Sequence, residues 1–222
     1  MSDHRAAVVV ADDAPLIREG ICQLLSGAGC EVLAAVSDTE ELAQYMAQQP
    51  GTAEVLVLDI RMPPTHTDEG IRALESLRAQ GNEVGVLLLS MYASPTLAVR
   101  ALAAGGATGY LLKDRVKDGT TLADAVRTVA AGGSVVDPEV VSLLMASRQR
   151  AESIDRLSAR EIEVLRLMAE GRSNLGISRS LGISAKTVDS HVEHILDKLG
   201  IQPSADEHRR VLAVLELLRA QG

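Results

Sequence analysis

Hydrophobic and polar positions follow two different patterns along the chain. Up to residue 131, short apolar runs alternate with longer stretches in which apolar residues recur at helical spacing. Several runs are β-branched and apolar at consecutive positions, which is typical of strands covered on both faces of a parallel sheet. The runs occupy residues 6–11, 31–36, 54–59, 84–90 and 107–112. The first helical stretch begins at Pro15, and the others lie near residues 38–49, 68–80, 94–104 and 118–131. The alternation predicts a doubly wound α/β domain with a five-stranded parallel sheet.

From Asp137 onward, helical signals continue and strand signals stop. A short helix is predicted there, with Asp137 as its N-cap and Pro138 in its first turn. The polar residues 148–155 that follow are expected to form a linker. The chain then contains four helical segments, the last of them amphipathic and spanning roughly residues 204–220.

Serines mark the starts of the other three helices, because a serine hydroxyl can accept a hydrogen bond from the first helical turn. Ser158 and Glu161 have the spacing of a capping box, and Ser173 and Ser184 precede the next two helices. We therefore predict a small all-α domain of four helices. The predicted divisions are an α/β domain over 5–131, a short helix and linker over 132–153, and the helical domain over 154–218.

Composition and charge restrict the possible functions of the 222-residue chain. Aromatic residues make up 1%, which disfavours single-stranded nucleic-acid binding through stacked bases. The net charge is −8: residues 1–150 contribute −7 and residues 151–222 contribute −1, so neither half is strongly basic. Cys22 and Cys30 lack metal-ligand spacing and are expected to be reduced thiols. No apolar run approaches the roughly 20 residues of a membrane span, and we expect a cytoplasmic protein.

Polar side chains stand where the predicted strands end. Asp12 and Asp13 follow the first strand, Asp59 ends the third, Ser90 ends the fourth, and Lys113 follows the fifth. Ligands of open parallel sheets bind outside the carboxyl ends of the strands. Three carboxylates at one edge repel each other unless a cation lies among them, and hard oxygen ligands suit Mg²⁺. A carboxylate beside such an ion can accept a phosphoryl group, and Asp59 is the predicted nucleophile.

Each of these residues alone has a simpler explanation. A single aspartate at a strand end is more often a turn residue, and Asp12 and Asp13 could cap the helix that begins at Pro15. Four strand ends that all carry suitable side chains favour a site over these explanations.

Residues 5–131 resemble the receiver domain of bacterial response regulators. The resemblance is carried by Asp12, Asp13, Asp59 followed by Met62 and Pro63, Ser90, Tyr110 and Lys113. It implies a flavodoxin-like fold in which a sensor histidine kinase phosphorylates Asp59 in the presence of Mg²⁺. The implied metal-site residues are Asp12, Asp13, Asp59 and Arg61. The implied phosphoryl-binding and switch residues are Ser90, Lys113 and Tyr110.

The loop after Asp59 departs from the family pattern. The stretch MPPTHTDEG places Gly70 three residues later than most receivers do. His66 and Asp68 in this lengthened loop could contact a partner, although a solvated surface loop is the simpler explanation. Lys113 is followed by Asp114, where many receivers have proline.

The segment 158–199 has the helix–turn–helix arrangement of many DNA-binding proteins. Val188, Val192, Ile195 and Leu199 share one face of its last helix and are expected to pack inward. Because the opposite face is acidic, spacing alone fits a three-helix interaction domain as well as a DNA-binding domain.

Residues 154–218 closely resemble the LuxR-type helix–turn–helix domain of NarL/FixJ regulators, through positions such as Asn174, Ile177, Thr187–Val188 and Lys198–Leu199. The implied DNA-binding residues are Arg172, Asn174, Arg179, Lys186, Thr187, Asp189, Ser190, Glu193 and Lys198. The implied dimer helix carries Val211, Val214, Leu215 and Leu218.

Together these features predict a phosphorylation-dependent response regulator and transcription factor. The expected partners are a sensor histidine kinase, a double-stranded DNA operator and, in the active state, a second copy of the chain. It is not expected to be a turnover enzyme, because Asp59 would only modify itself. Two alternatives are a degenerate receiver that controls DNA binding without phosphorylation and a Mg²⁺-dependent phosphohydrolase. The second is disfavoured because no DxD motif surrounds Asp59.

Overall fold

A computed structural model describes residues 5–117, 119–203 and 208–221. The chain divides into two compact units, Met1–Leu143 and Leu144–Gly222. Within the described residues, no helix is both long enough and apolar enough to cross a membrane.

The first unit is a parallel sheet with helices between its strands. The strands are β1 (Ala7–Ala11), β2 (Glu31–Val36), β3 (Val55–Asp59), β4 (Gly85–Ser90), β5 (Thr108–Leu112) and β6 (Val135–Val136). The helices are α1 (Pro15–Gly27), α2 (Thr39–Gln48), α3 (Glu69–Ala79), α4 (Pro95–Ala103) and α5 (Gly119–Ala130), with a 3-10 turn at Lys113–Lys117. The sheet order is β2-β1-β3-β4-β5-β6, and the paired strands run parallel. The doubly wound fold predicted from the sequence is therefore confirmed.

The prediction of five strands was wrong by one. β6 is a two-residue strand that pairs with β5, with Val135 opposite Gly109 and Val136 opposite Tyr110. Two residues are too few to show a periodic pattern, so only the unpaired edge of β5 could reveal this strand.

The core of this unit is aliphatic, as the composition predicts. Strands β3, β4 and β5 are buried along their whole length, and β1 nearly so. This double-sided cover explains their continuous apolar runs. The edge strand β2 is only half-buried, and its residues pack less completely.

The expected short helix and polar linker after Asp137 form one 18-residue helix, α6 (Pro138–Asp155). The stretch that predicted a linker includes several good helix formers, namely arginine, glutamine, alanine and glutamate. Arg148 and Glu152 also form an ion pair one helical turn apart, at 3.0 Å between Nε and Oε1. Polarity at 148–155 indicated exposure, and exposure does not exclude a helix.

The second unit contains four more helices: α7 (Ala159–Ala169), α8 (Asn174–Leu181), α9 (Ala185–Lys198) and α10 (Arg209–Gln221). Ser158, Ser173 and Ser184 are N-caps as predicted, and Ser158 and Glu161 form the complete capping box. Helix α8 ends at Gly182, whose φ of 64° is the left-handed conformation that favours glycine. The predicted start of the last helix, residues 204–207, lies outside the described residues.

Candidate functional site

The sheet topology brings the predicted strand-end residues to one edge. Asp59 is the last residue of β3 and Ser90 the last of β4, while Asp12 directly follows β1 and Lys113 directly follows β5. The four strands are neighbours in the sheet and run parallel, so their carboxyl ends meet. Asp12, Asp59 and Ser90 are all buried. Asp12 is not the N-cap of α1, because that residue is Ala14, whose N–H donates to Asp12 Oδ1 at 3.0 Å.

Lys113 connects two of the carboxylates. Its Nζ lies 2.7 Å from Oδ2 of Asp12 and 2.8 Å from Oδ2 of Asp59, and its side chain is 8% exposed. Burial alone would lower the pKa of Lys113, but its bonds to the two carboxylates raise it, so the ammonium stays charged. Burial raises the pKa of Asp59 and the Asp12 carboxylate adds to this effect, so the Lys113 ammonium offsets the rise only in part. The pocket therefore holds more negative charge than its lysine compensates.

The acidic cluster has the donor set of a divalent-cation site. One carboxylate oxygen from each of Asp12, Asp13 and Asp59 lies within 4.8 Å of the others. Such hard oxygen donors suit ions of the Mg²⁺ and Ca²⁺ type. An arginine side chain has no acceptor atom, so Arg61 could join such a site only through its carbonyl oxygen. Its backbone N–H points to Asp59 Oδ1 at 3.4 Å, and its guanidinium lies 5.6 Å from the centre of the Tyr92 ring.

The two predicted switch residues meet at an acceptor that the sequence did not reveal. The Ser90 hydroxyl donates to the main-chain carbonyl of Tyr92 at 2.7 Å, and the fully buried Tyr110 hydroxyl donates to the same oxygen at 3.4 Å. A backbone carbonyl has no signature in the residue type, so sequence reasoning had no means to find it. The shared acceptor couples the positions of the two hydroxyls.

Gly70 closes the lengthened loop against the end of β3. A Cβ atom at this position would lie 2.2 Å from the carbonyl oxygen of Asp59, and the Gly70 N–H donates to Ile60 O at 3.0 Å. The first turn of α3 can approach the strand this closely only where the residue has no side chain. The lengthened loop therefore ends with α3 packed directly against the end of β3.

Acidic side chains hold the rest of the loop. Burial alone would raise the pKa of Glu69, but the Thr65 hydroxyl and the N–H groups of Thr65 and Thr67 lower it to about 2. Asp68 forms ion pairs with Arg72 at 2.8 Å and Arg100 at 2.6 Å, so its carboxylate already has partners within the unit.

In the second unit, the division of α9 into two faces agrees with the sequence. Val188 and Ile195 are buried, and Val192 and Leu199 are half-buried against the same cluster. The residues exposed on the other face and at the start of the helix are Lys186, Thr187, Asp189, Ser190 and Glu193.

Several polar residues predicted to contact DNA already have partners. Lys198 Nζ donates to Oε2 of the buried Glu161 at 2.6 Å. The pKa of Glu161 is about 2, because this bond and the capping contacts with Ser158 outweigh the effect of burial. Asn174 Nδ2 donates to Asp189 Oδ1 at 2.6 Å, and Arg209 pairs with Glu193 at 3.3 Å.

The basic residues predicted to contact DNA differ in whether they already have partners within the domain. Arg172 pairs with Glu170 at 2.9 Å and donates to the Ser180 hydroxyl at 2.9 Å. Arg179 and Lys186 are exposed and have no ion-pair partner among the residues that the structure describes. The sequence did not single out Arg210, which donates hydrogen bonds to Asn174 Oδ1 and to the carbonyl of Arg172.

The predicted dimer helix presents three of its four apolar residues. Val211 is 52% exposed, Leu215 37% and Leu218 54%, all along one face of α10. Val214 instead packs partly against the core cluster of the helical domain.

Comparison with known protein families accounts for both units. A model of the response regulator receiver domain matches residues 8–127, more than half of the chain. A model of bacterial regulatory proteins of the luxR family matches residues 155–207. The chain belongs to the two-component response regulators of the NarL/FixJ type.

Relatives of similar length support the membership of the chain in this family. The nitrate/nitrite response regulator protein homolog of Haemophilus influenzae is 34% identical over 210 residues, which cover 94% of each chain. The probable transcriptional regulatory protein NarL of Mycobacterium tuberculosis is 35% identical over 218 residues, which cover 97% of this chain and 95% of its own. The chain thus combines a receiver with a LuxR-type DNA-binding domain, as transcriptional regulators do.

Solved structures show the same fold. The RcsB response regulator of Salmonella typhimurium matches with a TM-score of 0.59 at 26% identity, covering 96% of this chain and 98% of that chain. A complex of the response regulator RcsB with DNA matches with a TM-score of 0.54 at 26% identity, covering 97% and 99%.

Proposed function

We propose that Asp59 accepts a phosphoryl group from a sensor histidine kinase and that this modification controls operator binding by the C-terminal domain. The observation that carries the proposal is the surplus negative charge around Asp59, which lies between one ammonium and two further carboxylates. A structural ion pair would balance its charges, whereas this cluster has three carboxylates beside one ammonium, which favours an added cation. The proposed domain limits are 5–131 and 154–218, with 132–153 between them.

In the transfer, an Asp59 carboxylate oxygen forms the new bond to phosphorus while the bond from phosphorus to the histidine nitrogen breaks. The electron pair of that bond returns to the imidazole, which then takes up a proton. The Lys113 ammonium, now on Asp59, is placed to stabilise a phosphoryl oxygen instead. Mg²⁺, held by Asp12, Asp13, Asp59 and the Arg61 carbonyl, would neutralise phosphoryl charge when bound. The product is a modified protein, so the chain is a phosphoacceptor with no separate substrate.

The change at Asp59 would reach the rest of the receiver through Ser90. Its hydroxyl now donates to the Tyr92 carbonyl, and a phosphoryl oxygen offers a stronger, charged acceptor. If Ser90 turns away, its hydroxyl and that of the buried Tyr110 no longer share the Tyr92 carbonyl. This gives the receiver two states, which phosphorylation biases.

For DNA, we propose that the start of α9 enters the major groove, as recognition helices do. Thr187, Asp189, Ser190, Glu193 and Asn174 are the candidates for base edges. Arg179 and Lys186 are the best candidates for phosphate contacts, because they are exposed and unpaired within the described part of the chain. Arg172 and Lys198 remain candidates, but each would have to leave a partner.

We propose that two copies associate through Val211, Leu215 and Leu218 of α10. Leu218→Asp is expected to abolish the dimer of the phosphorylated protein in sedimentation experiments, with an unchanged melting temperature. Val214→Asp is the contrasting variant: because Val214 packs on the core, it is expected to lower the melting temperature as well. A Leu218→Asp protein that still dimerises would exclude this interface.

The test of the proposed function is treatment with acetyl phosphate and Mg²⁺, followed by intact mass measurement of wild type and Asp59→Ala. We expect one phosphate adduct on wild type, none on the variant, and none when EDTA replaces Mg²⁺. Folded wild-type protein without an adduct would support the degenerate receiver, in which DNA binding is controlled without phosphorylation.

A further inference from the structure

His66 links the lengthened loop to the acidic cluster. Its Nδ1 atom lies 3.2 Å from Oδ2 of Asp13, 53 positions earlier in the chain. Asp12 and Asp59 are both held by Lys113, but Asp13 is 31% exposed and its only described partner is His66. One predicted cation ligand therefore depends on the loop for its orientation.

The structure holds His66 in place from both sides. Its φ of 54° lies in the left-handed region, which is uncommon for a residue with a side chain. The His66 N–H donates to Met62 O at 3.0 Å, and Glu69 accepts bonds from the N–H groups of Thr65 at 3.1 Å and Thr67 at 2.9 Å. Such a conformation persists only where its surroundings determine it. The loop thus fixes the backbone from which the imidazole reaches Asp13, while the imidazole itself is 55% exposed.

The geometry distinguishes between two possible roles of this imidazole. The carboxylate oxygens of Asp12, Asp13 and Asp59 form a mutually close set, and no nitrogen of His66 belongs to that set among the described residues. His66 contacts Asp13 alone, which is the position of an outer partner and not of a ligand. Ligating carboxylates are commonly held by such outer hydrogen bonds.

We propose that His66 is a positioning residue for divalent-cation binding, and that its Nδ1–H orients Asp13 by donating to Oδ2. The inference rests on the proposed function, since the cation is the one that phosphorylation requires. It also gives the lengthened loop after β3 a role, because this loop carries a donor to the acid that follows the neighbouring strand β1.

Two substitutions separate the hydrogen bond from the backbone conformation. His66→Gly removes the imidazole at a φ that glycine adopts without strain. His66→Asn also tolerates this φ, and its Nδ2 can occupy the position of the histidine Nδ1 and donate to Asp13. His194→Ala, which removes an exposed histidine from α9, serves as the matched control, and Asp13→Asn removes the ligand itself.

The apparent Kd for MgCl₂ would be measured by isothermal titration calorimetry on the full chain, with circular dichroism to verify the fold. Loss of an outer-shell partner typically weakens metal binding by about 10- to 100-fold, so we expect at least about tenfold for His66→Gly and within about threefold of wild type for His66→Asn. His194→Ala should bind as wild type does.

Three results would overturn the inference. Unchanged binding by His66→Gly, with binding lost in Asp13→Asn, would leave the cation site and the proposed function intact and remove the role of His66. Tighter binding by His66→Gly would show that the imidazole competes with the cation. Wild-type protein that binds no Mg²⁺ would overturn both the inference and the metal site of the proposed function.

Discussion

Each half of this response regulator buries a carboxylate against a lysine, and the two pairs have opposite electrostatics. In the helical domain, Lys198 lies 2.6 Å from Glu161, and the pKa of Glu161 falls to about 2. In the receiver, Lys113 lies 2.8 Å from Asp59, yet the pKa of Asp59 is raised. The ionised carboxylate is favoured in the first pair and disfavoured in the second.

Burial raises the pKa of both acids, and the other neighbours of each acid decide whether that effect is outweighed. Among the described residues, Glu161 is the only acid paired with the Lys198 ammonium, and it also accepts the N–H of Ser158 at 2.7 Å. Asp59 shares its ammonium with Asp12, whose charge also repels it. A short ion pair therefore does not by itself identify a functional group. A buried acid whose ionised form remains disfavoured beside a cation is a candidate for a functional site.

The largest expected effect is that of Lys113→Ala. Removal of the ammonium leaves Asp12 and Asp59 buried together without a cation, which should cost about 3 kcal/mol of unfolding free energy. Urea unfolding of the variant in EDTA measures this cost, and Lys186→Ala at an exposed position is the control. Added Mg²⁺ should recover part of the loss. A loss below about 1 kcal/mol would mean that the receiver pocket is not electrostatically strained.

Glu161→Gln is expected to cost the helical domain about 2 kcal/mol, the scale of hydrogen bonds to a charged group. The pKa of Glu161 is lowered from 4.5 to about 2, so its contribution is complete above pH 4.5. It is lost as the pH falls from 4.5 towards 2, because the unfolded chain then binds the proton first. Unfolding curves of both proteins across this range should converge at the acid end. Parallel curves would contradict the role of the pair.

Asp59→Asn should act in the opposite direction and stabilise the receiver in EDTA by about 1 kcal/mol, as substitutions at strained sites often do. The raised pKa means that the folded protein binds the proton more readily than the unfolded chain. Ionised Asp59 thus lowers stability as the pH rises through its pKa, and the advantage of asparagine should shrink as the pH falls. Melting temperatures of both proteins from pH 4 to 8 would show this. A destabilised Asp59→Asn at neutral pH would refute the comparison between the two pairs.

The smallest expected effect separates the two lysines of α9. Lys186→Ala should weaken operator binding about fivefold and reduce the salt slope by about one, with an unchanged melting temperature. Lys198→Ala should mainly lower the melting temperature, because its ammonium stabilises Glu161. Fluorescence anisotropy with labelled operator DNA at several salt concentrations measures the first effect. Equal losses of DNA affinity in both variants would show that Lys198 leaves Glu161 to bind phosphate.

The success of sequence reasoning differed between the two sites. Asp12, Asp59, Ser90 and Lys113 were found because strand ends can be located from apolar runs, and parallel strands place their carboxyl ends together. The polar residues of α9 were correctly placed on an exposed face. Their partners were not foreseen, because a helical pattern gives the direction of a side chain but not the residue opposite it.

The sequence by itself determined the local features: the apolar runs of β1 to β5, the serine caps of α7 to α9, and the inward face of α9. Each depends on residues a few positions apart, for which spacing and residue type are sufficient. The tertiary structure decided the short strand β6, the shared acceptor at Tyr92, and the pairs Lys198–Glu161 and His66–Asp13. Apart from the Ser90–Tyr92 bond, these contacts join residues far apart in sequence. Only the packed loops and helices determine which charges become neighbours and which remain uncompensated.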